Sequence, residues 1–107
     1  MNKQRINKKK RLHPAIFLLK KIPKGRVATY KEMARVCGTS PRAIGRIMAD
    51  NPYPDVYPCY KVVSSRGELC GYSGQGGLKG KERLLKGEGI LFQNGKIDPK
   101  YFYTFFT

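Results

Sequence analysis

The sequence predicts an α+β fold, mostly helical: a winged-helix-like helix-turn-helix domain with a small β-hairpin. Two short helical patterns meet at a glycine-containing turn between Thr29 and Asp50, which is the spacing of a helix-turn-helix. Asn94-Gly95 stands between Leu91-Phe92 and Lys96-Ile97, a strong hairpin signal because both turn residues tolerate positive φ. At 107 residues the chain is one domain with a modest core. Its 40% hydrophobic and 11% aromatic content is that of a folded chain.

Charge is the strongest compositional feature. Lys and Arg number 22 against 7 Asp and Glu, a formal net charge of +15. Residues 1–11 hold six basic side chains and no acid, densest at Lys8-Lys9-Lys10-Arg11. They read as a flexible basic arm ahead of a domain over residues 12–107. That domain still carries 16 basic and 7 acidic residues. Such an excess favours a polyanion, with nucleic acid first and an anionic membrane surface second. Charge that serves solubility alone is the plainer reading. No apolar run reaches the roughly 20 residues of a membrane helix. The basic start leads into no signal-peptide pattern. Three cysteines, Cys37, Cys59 and Cys70, form no CxxC pair, so free thiols in a reducing, intracellular setting are expected. That means the cytoplasm in a prokaryote or the nucleus in a eukaryote. One histidine, His13, leaves too few ligands for zinc, and neither a metal nor a cofactor is expected.

The elements follow in order. A helix starts near His13 with Pro14 at its first position, where a missing N–H costs nothing. Ile16, Phe17, Leu19 and Ile22 supply its apolar face, and it stops before Pro23. Thr29-Tyr30-Lys31-Glu32 is a capping box. The helix it opens runs to Cys37, with Met33, Val36 and Cys37 inward, and ends at Gly38. Cys37 reads as a buried core thiol. Ser40 caps the next helix, with Pro41 first and the end near Asp50. As a recognition helix it presents Arg42 and Arg46, with small Ala43 and Gly45 allowing close approach to a duplex. An ordinary helical hairpin with a solvated basic face fits the same pattern.

Pro52, Pro54 and Pro58 then stiffen the approach to Cys59. A cysteine beside the apolar pair Val62-Val63 is either a buried small hydrophobe or a thiol held in a defined place. Lys61 to Ser64 reads as a strand, Ser65-Arg66-Gly67 as a turn, and Glu68 to Cys70 as an antiparallel return. Residues 71–77 contain four glycines. They can wrap a phosphate or bring backbone N–H groups to a substrate, yet match no Walker or dinucleotide motif. A last helix spans about Leu78 to Lys86, with Leu84 and Leu85 inward, and the aromatic tail 101–106 packs back on the body.

Ile22-Pro23-Lys24-Gly25, Thr29-Tyr30, Arg42-Ala43-Ile44-Gly45, Asn51-Pro52, Pro58-Cys59, Val62-Val63, Gly71-Tyr72-Ser73-Gly74, Lys81-Glu82, Leu84-Leu85 and Glu88-Gly89 occur in one order with short spacings. Over residues 12–90 the series resembles the C-terminal active-site domain of the O(6)-alkylguanine-DNA alkyltransferases. The resemblance implies a helix-turn-helix in the minor groove, a flipped base, and irreversible transfer of its alkyl group to a cysteine. It implies Cys59 as acceptor and Tyr30 as donor toward the departing guanine. Arg42 fills the vacated stack, and Asn51 is the hinge between recognition helix and active-site loop. Tyr72 and Ser73, with Val62, line the base pocket. Lys81 supports the tyrosine and the cysteine loop, and Glu88 ends a cysteine-histidine-glutamate relay. Together with Arg42 and Asn51, the residues Ser40, Ala43, Gly45, Arg46 and Lys61 form the DNA-binding set. The implied partner is double-stranded DNA containing O(6)-alkylguanine, bound by a monomer, with other repair proteins as further partners and no membrane.

The chemistry suits these residue types. Displacement at an alkyl carbon needs a soft nucleophile, which a thiolate is. The leaving guanine gathers negative charge that a phenol or hydroxyl donor stabilises. The alkylated oxygen is out of reach while the base is stacked.

Two departures from the family stand out. Where the family reads Pro-Cys-His-Arg, this chain reads Pro58-Cys59-Tyr60-Lys61, so the relay imidazole is missing. A free thiol of pKa about 8.5 is about 3% ionised at pH 7, so losing full ionisation costs about 30-fold, roughly 2 kcal/mol. Lys61 keeps the charge of arginine without its bidentate fork. The family's N-terminal domain also has no counterpart in the sequence. Single-domain relatives include alkyltransferase-like proteins that bind lesions without repairing them and replace the cysteine. Lesion binding without transfer is therefore the alternative function. A helix-turn-helix regulator with an inert cysteine is the third, and it leaves the ordered tyrosine, asparagine, serine and glutamate unexplained.

Overall fold

The computed structural model describes residues 12–72, 74 and 76–105. The basic arm, Ser73 and Phe106 lie outside the described residues.

His13 opens helix α1 (Pro14–Leu18), its Nδ1 accepting from the Ala15 N–H at 3.0 Å. A 3₁₀ turn, Leu19–Lys21, continues it toward Pro23. Ala15, Ile16, Leu19 and Ile22 are buried, but Phe17, expected on the inner face, is 50% exposed. Successive helical residues point about 100° apart, so Ile16 and Phe17 cannot share one narrow face. The Phe17 ring instead meets Tyr57 edge-on at 5.5 Å.

Strand β1 (Ala28–Thr29) runs straight into helix α2 (Tyr30–Cys37). Thr29 Oγ1 accepts from the Glu32 N–H at 3.0 Å, as the capping box predicts. The reciprocal half is spent elsewhere. The Glu32 carboxylate takes Arg35 at 2.7 Å and the Phe105 N–H at 2.8 Å, pinning the tail to the helix. Met33 and Ala34 are buried, whereas Cys37, expected in the core, is only half-buried beside it. Gly38 ends α2 with left-handed backbone. Helix α3 (Pro41–Ala49) follows at once, capped by Ser40 Oγ on the Ala43 N–H at 3.1 Å. Ile44 and Met48, four apart, are buried, while Arg42 and Arg46, also four apart, are exposed. This is the predicted amphipathic hairpin of helices.

The chain returns through a 3₁₀ turn, Cys59–Lys61, into β2 (Val62–Val63). Here the structure departs from expectation. β2 pairs in parallel with β1, Ala28 against Val62 and Thr29 against Val63. The segment 68–70 forms no strand. Instead Ser64 closes a turn, its N–H donating to the Glu68 carbonyl and its Oγ accepting from the Glu68 N–H, both at 3.0 Å. Short local bonds of this kind compete with a ladder.

The small sheet separates two cores. Ala28 and Val62 pack with α1, α2 and α3, whereas Val27 and Val63 join Leu85, Ile90 and Ile97. Neighbours along a strand point to opposite faces, which is how one dipeptide serves both. Helix α4 (Gly77–Gly87) supplies Leu85, but Leu84, also expected inside, is 41% exposed.

The predicted hairpin forms. β3 (Phe92–Gln93) pairs antiparallel with β4 (Lys96–Ile97), and Asn94 and Gly95 both take positive φ. It docks through the Ile97 N–H on the Gly67 carbonyl at 2.9 Å. A Cβ on Gly67 would meet the Ile97 oxygen at 2.1 Å, so only glycine permits this approach. The tail then brackets Val27, whose N–H donates to Tyr101 O at 2.9 Å and whose carbonyl accepts from Tyr103 N–H at 2.7 Å. Phe105 is buried, as expected of the aromatic tail.

Candidate active site

An open cavity of about 870 Å³ lies between α3, the N-terminus of α2 and the loops around residues 64–65 and 70–72. Its lining brings together Tyr30, Arg42, Gly45, Cys59 and Tyr72 from the predicted set. They come from separate stretches of the chain: Tyr30 from the start of α2, Arg42 and Gly45 from α3, Cys59 from a 3₁₀ turn and Tyr72 from a loop.

Cys59 is held at the start of its 3₁₀ turn, with its N–H donating to the Tyr57 carbonyl at 2.8 Å. It is only 4% exposed, yet it lines the cavity. The prolines alone do not fix this loop. Asn51 is buried and ties it from within, donating from Nδ2 to Tyr57 O at 2.9 Å and accepting the Tyr53 N–H at 3.0 Å. Asn51 thus joins the end of α3 to the cysteine loop. The expectation that it also faces nucleic acid does not fit its burial.

Tyr30 opens α2 and points its phenol into the cavity wall. Burial first, then the thiols of Cys70 and Cys59, push its pKa up to about 12. It therefore stays protonated and can donate a hydrogen bond to any acceptor placed in the cavity. The Tyr72 phenol is likewise raised, by burial and then by Cys59 and Asp55. Gly74 makes room for that ring: a Cβ there would lie 2.1 Å from Tyr72 Cζ.

Lys81 is fully buried behind these groups. Its ammonium donates to the carbonyls of Cys70 at 2.8 Å and Gly71 at 3.2 Å and lies 5.9 Å from the Tyr30 ring centre. It holds the 70–71 loop against the tyrosine. Burial pushes its pKa down to about 8, from an ordinary value of 10.5. Between those values the unfolded chain binds more protons than the fold, so stability rises with pH across the window. Denaturant titrations from about pH 8 to about pH 10 are expected to show a gain on the order of 2 kcal/mol. Lys81→Met removes that slope, and a slope unchanged in the variant places the titrating group elsewhere.

A second cluster sits behind Cys59. The Tyr60 hydroxyl donates to Glu88 Oε2 through a short hydrogen bond. Glu88 Oε1 accepts from Lys61 Nζ and from the Gly25 N–H, each at 2.9 Å. Burial works to raise the Glu88 carboxyl, but these donors outweigh it and hold the group below its ordinary range. Burial and Glu88 together raise the Tyr60 phenol. Tyr60 is therefore a donor fixed on an acid, and the phenol occupies the carboxylate that an imidazole is expected to use.

Several predicted residues fall outside the cavity. Lys61, placed with the DNA-binding residues, is 3% exposed, and its ammonium is consumed by Ile22 O at 3.2 Å, Pro23 O at 2.6 Å and Glu88. Val62, placed in the base pocket, is fully buried in the first core. Ser40 spends its hydroxyl on the α3 cap. Arg46 is exposed one turn beyond Arg42, and Ala43 lies half-buried between them. Ser73 lies outside the described residues. The structure adds Lys31, Pro41, Met48, Ala49, Ser64, Ser65, Cys70 and Gly71 to the lining. Pro41 and Ala49 share the α3 face that carries Gly45, a face legible in the helical spacing. Cys70 was hidden by the assumption of a strand at 68–70. Among the described residues no helix is long and apolar enough to cross a membrane.

Comparison with known proteins matches this arrangement. Residues 14–90 fit the family model of the 6-O-methylguanine DNA methyltransferase DNA-binding domain. The chain is 51% identical over 70 residues to a methylated-DNA--protein-cysteine methyltransferase of Pyrobaculum aerophilum, covering 65% of this chain and 46% of that protein. It is 44% identical over 72 residues to the Methanothermobacter thermautotrophicus protein of the same name, covering 67% and 40%. The chain thus spans less than half the length of these relatives. In structure it resembles S. pombe Atl1 in complex with damaged DNA containing O6-carboxymethylguanine, with a TM-score of 0.72 and 26% identity over 84% of this chain and 91% of that one. The O6-methylguanine-DNA methyltransferase of Pyrococcus kodakaraensis gives a TM-score of 0.62 and 41% identity over 71% and 44%. The match over most of the chain, on a fold that gathers the expected cysteine, tyrosines and arginine around one cavity, places the chain in the 6-O-methylguanine DNA methyltransferase DNA-binding-domain family.

Proposed function

We propose that the chain binds duplex DNA containing O(6)-alkylguanine and transfers the alkyl group, irreversibly, to Cys59. The observation that carries this reading is the shared cavity of Cys59, Tyr30, Tyr72 and the recognition-helix residues Arg42 and Gly45. Arg42 stands at the exposed first turn of α3, where a side chain can enter the stack as a base leaves it. The cavity is large enough for a nucleobase and has both an aromatic wall and a donor. In the reaction Cys59 Sγ attacks the alkyl carbon, a C–S bond forms and the C–O bond to guanine breaks. The thiol loses its proton and the departing guanine gains one, with Tyr30 donating a hydrogen bond to the charge that develops there. A thioether offers no easy return to thiol, so one molecule reacts once.

Incubation with duplex bearing O(6)-methylguanine is expected to add about 14 Da, once per chain and on Cys59, the net change when methyl replaces hydrogen at a thiol. A second reading, binding without transfer, is favoured by the likeness to Atl1 over nearly the whole of both chains. Tight binding of the lesion with no mass gain would establish that reading instead.

A further inference from the structure

We propose that Cys70 is the resolving partner of Cys59, and that the two thiols form a reversible disulfide when peroxide enters the cavity. Both cysteines line the same open cavity, Cys59 at its floor and Cys70 exposed at its side. Cys37 does not line it. The chain doubles back at Ser64–Glu68, where the Ser64 N–H meets the Glu68 carbonyl at 3.0 Å. That return brings the chain leading to Cys70 back to Ser64, directly after β2. No ladder fixes residues 68–70. Cys70 is held through its carbonyl by Lys81 at 2.8 Å, while its thiol makes only a long contact to the Glu68 carbonyl at 3.9 Å. A backbone anchor with a loosely held sulfur lets the thiol swing without unfolding the loop. Both thiols also act on the same two groups, Tyr30 and Lys81.

The chemistry balances with hydrogen peroxide as the oxidant. One thiolate attacks the peroxide, giving a sulfenic acid and releasing water after proton transfer. The second thiol attacks that sulfur, forming the S–S bond and releasing a second water. Two thiol hydrogens are lost and one peroxide is reduced. A cysteine that can be used only once has most to lose from oxidation to sulfinic acid, which is not reversed by thiols. A resolving thiol in the same cavity captures the sulfenic acid before that step. The pairing rests on the cavity alone and holds whether or not Cys59 accepts an alkyl group.

The test is peroxide titration of the folded chain, followed by intact mass and peptide mapping under non-reducing conditions. A loss of about 2 Da, a Cys59–Cys70 peptide and full recovery with dithiothreitol are expected. Cys37→Ser leaves this unchanged. Cys70→Ser is expected to gain about 32 Da at Cys59 instead, without recovery, as a sulfinic acid. The proposal is overturned if the unaltered chain accumulates sulfinic acid at Cys59 with no disulfide, or if the linked peptide contains Cys37.

Discussion

Cys59→Ala is expected to abolish alkyl transfer completely while leaving affinity for O(6)-methylguanine duplex within about threefold, an energy difference below about 1 kcal/mol. The two measurements separate because they draw on different parts of the molecule. On the proposed function, binding draws on α3, its arginines and the aromatic cavity wall, none of which rests on sulfur. Transfer needs a nucleophile at the cavity floor, and among the lining residues only Cys59 and Cys70 carry a thiol. The deletion is mild for the fold, since it removes one buried atom from a position that also packs in the first core. Its cost is about 1 kcal/mol, comparable to a small truncation. Intact mass after incubation with excess duplex measures transfer, and fluorescence anisotropy measures binding. A persistent adduct of about 14 Da that maps to Cys70 would move the acceptor role to the second thiol. Loss of binding together with transfer would mean that Cys59 shapes the cavity rather than reacting in it.

Much of this site is legible in the sequence because its positioning residues act locally. Thr29, Ser40 and Gly38 set the two helices through caps that reach no further than four residues, and the structure follows them closely. The Asn94-Gly95 hairpin is of the same kind. What local signals do not carry is partner choice over distance. Val62-Val63 announces a strand, yet nothing nearby says that its partner is Ala28-Thr29 and not the returning chain. The same limit explains Lys61 and Lys81. A lysine reads as a solvent cation until the fold shows which carbonyls and carboxylates surround it, and both of these are buried on such partners. Phe17 and Leu84 err in the other direction. Each lies next to a fully or nearly buried neighbour, Ile16 and Leu85, and the large side chain about 100° further round the helix is left partly outside.

Tyr60→His is expected to raise the rate of alkyl transfer at neutral pH, by up to about 30-fold if thiolate supply limits the reaction. The reason lies in the direction of one hydrogen bond. In this chain the Tyr60 phenol donates to Glu88, and burial with that carboxylate holds the phenol well above its ordinary range. A group in that state does not take a proton from the neighbouring thiol near pH 7. Imidazole has two nitrogens, so one can donate to Glu88 while the other accepts from Cys59 directly or through water. Glu88 is prepared for this, because Lys61 and the Gly25 N–H, each at 2.9 Å, still donate to it once the phenol is gone. Packing is the competing effect, since the Tyr60 ring stands edge-on at 6.5 Å to Tyr72, which lines the cavity. Tyr60→Phe keeps that ring and removes only the hydroxyl, so it reports packing with the proton question set aside. Single-turnover rates across pH distinguish the cases. The relay account requires the histidine variant to gain most near neutral pH, with the advantage shrinking toward alkaline pH, where solvent base can take the proton instead. A histidine variant no faster than the phenylalanine one at every pH means that proton removal does not limit this chain, and that Tyr60 serves to hold Glu88 and the cysteine loop in place.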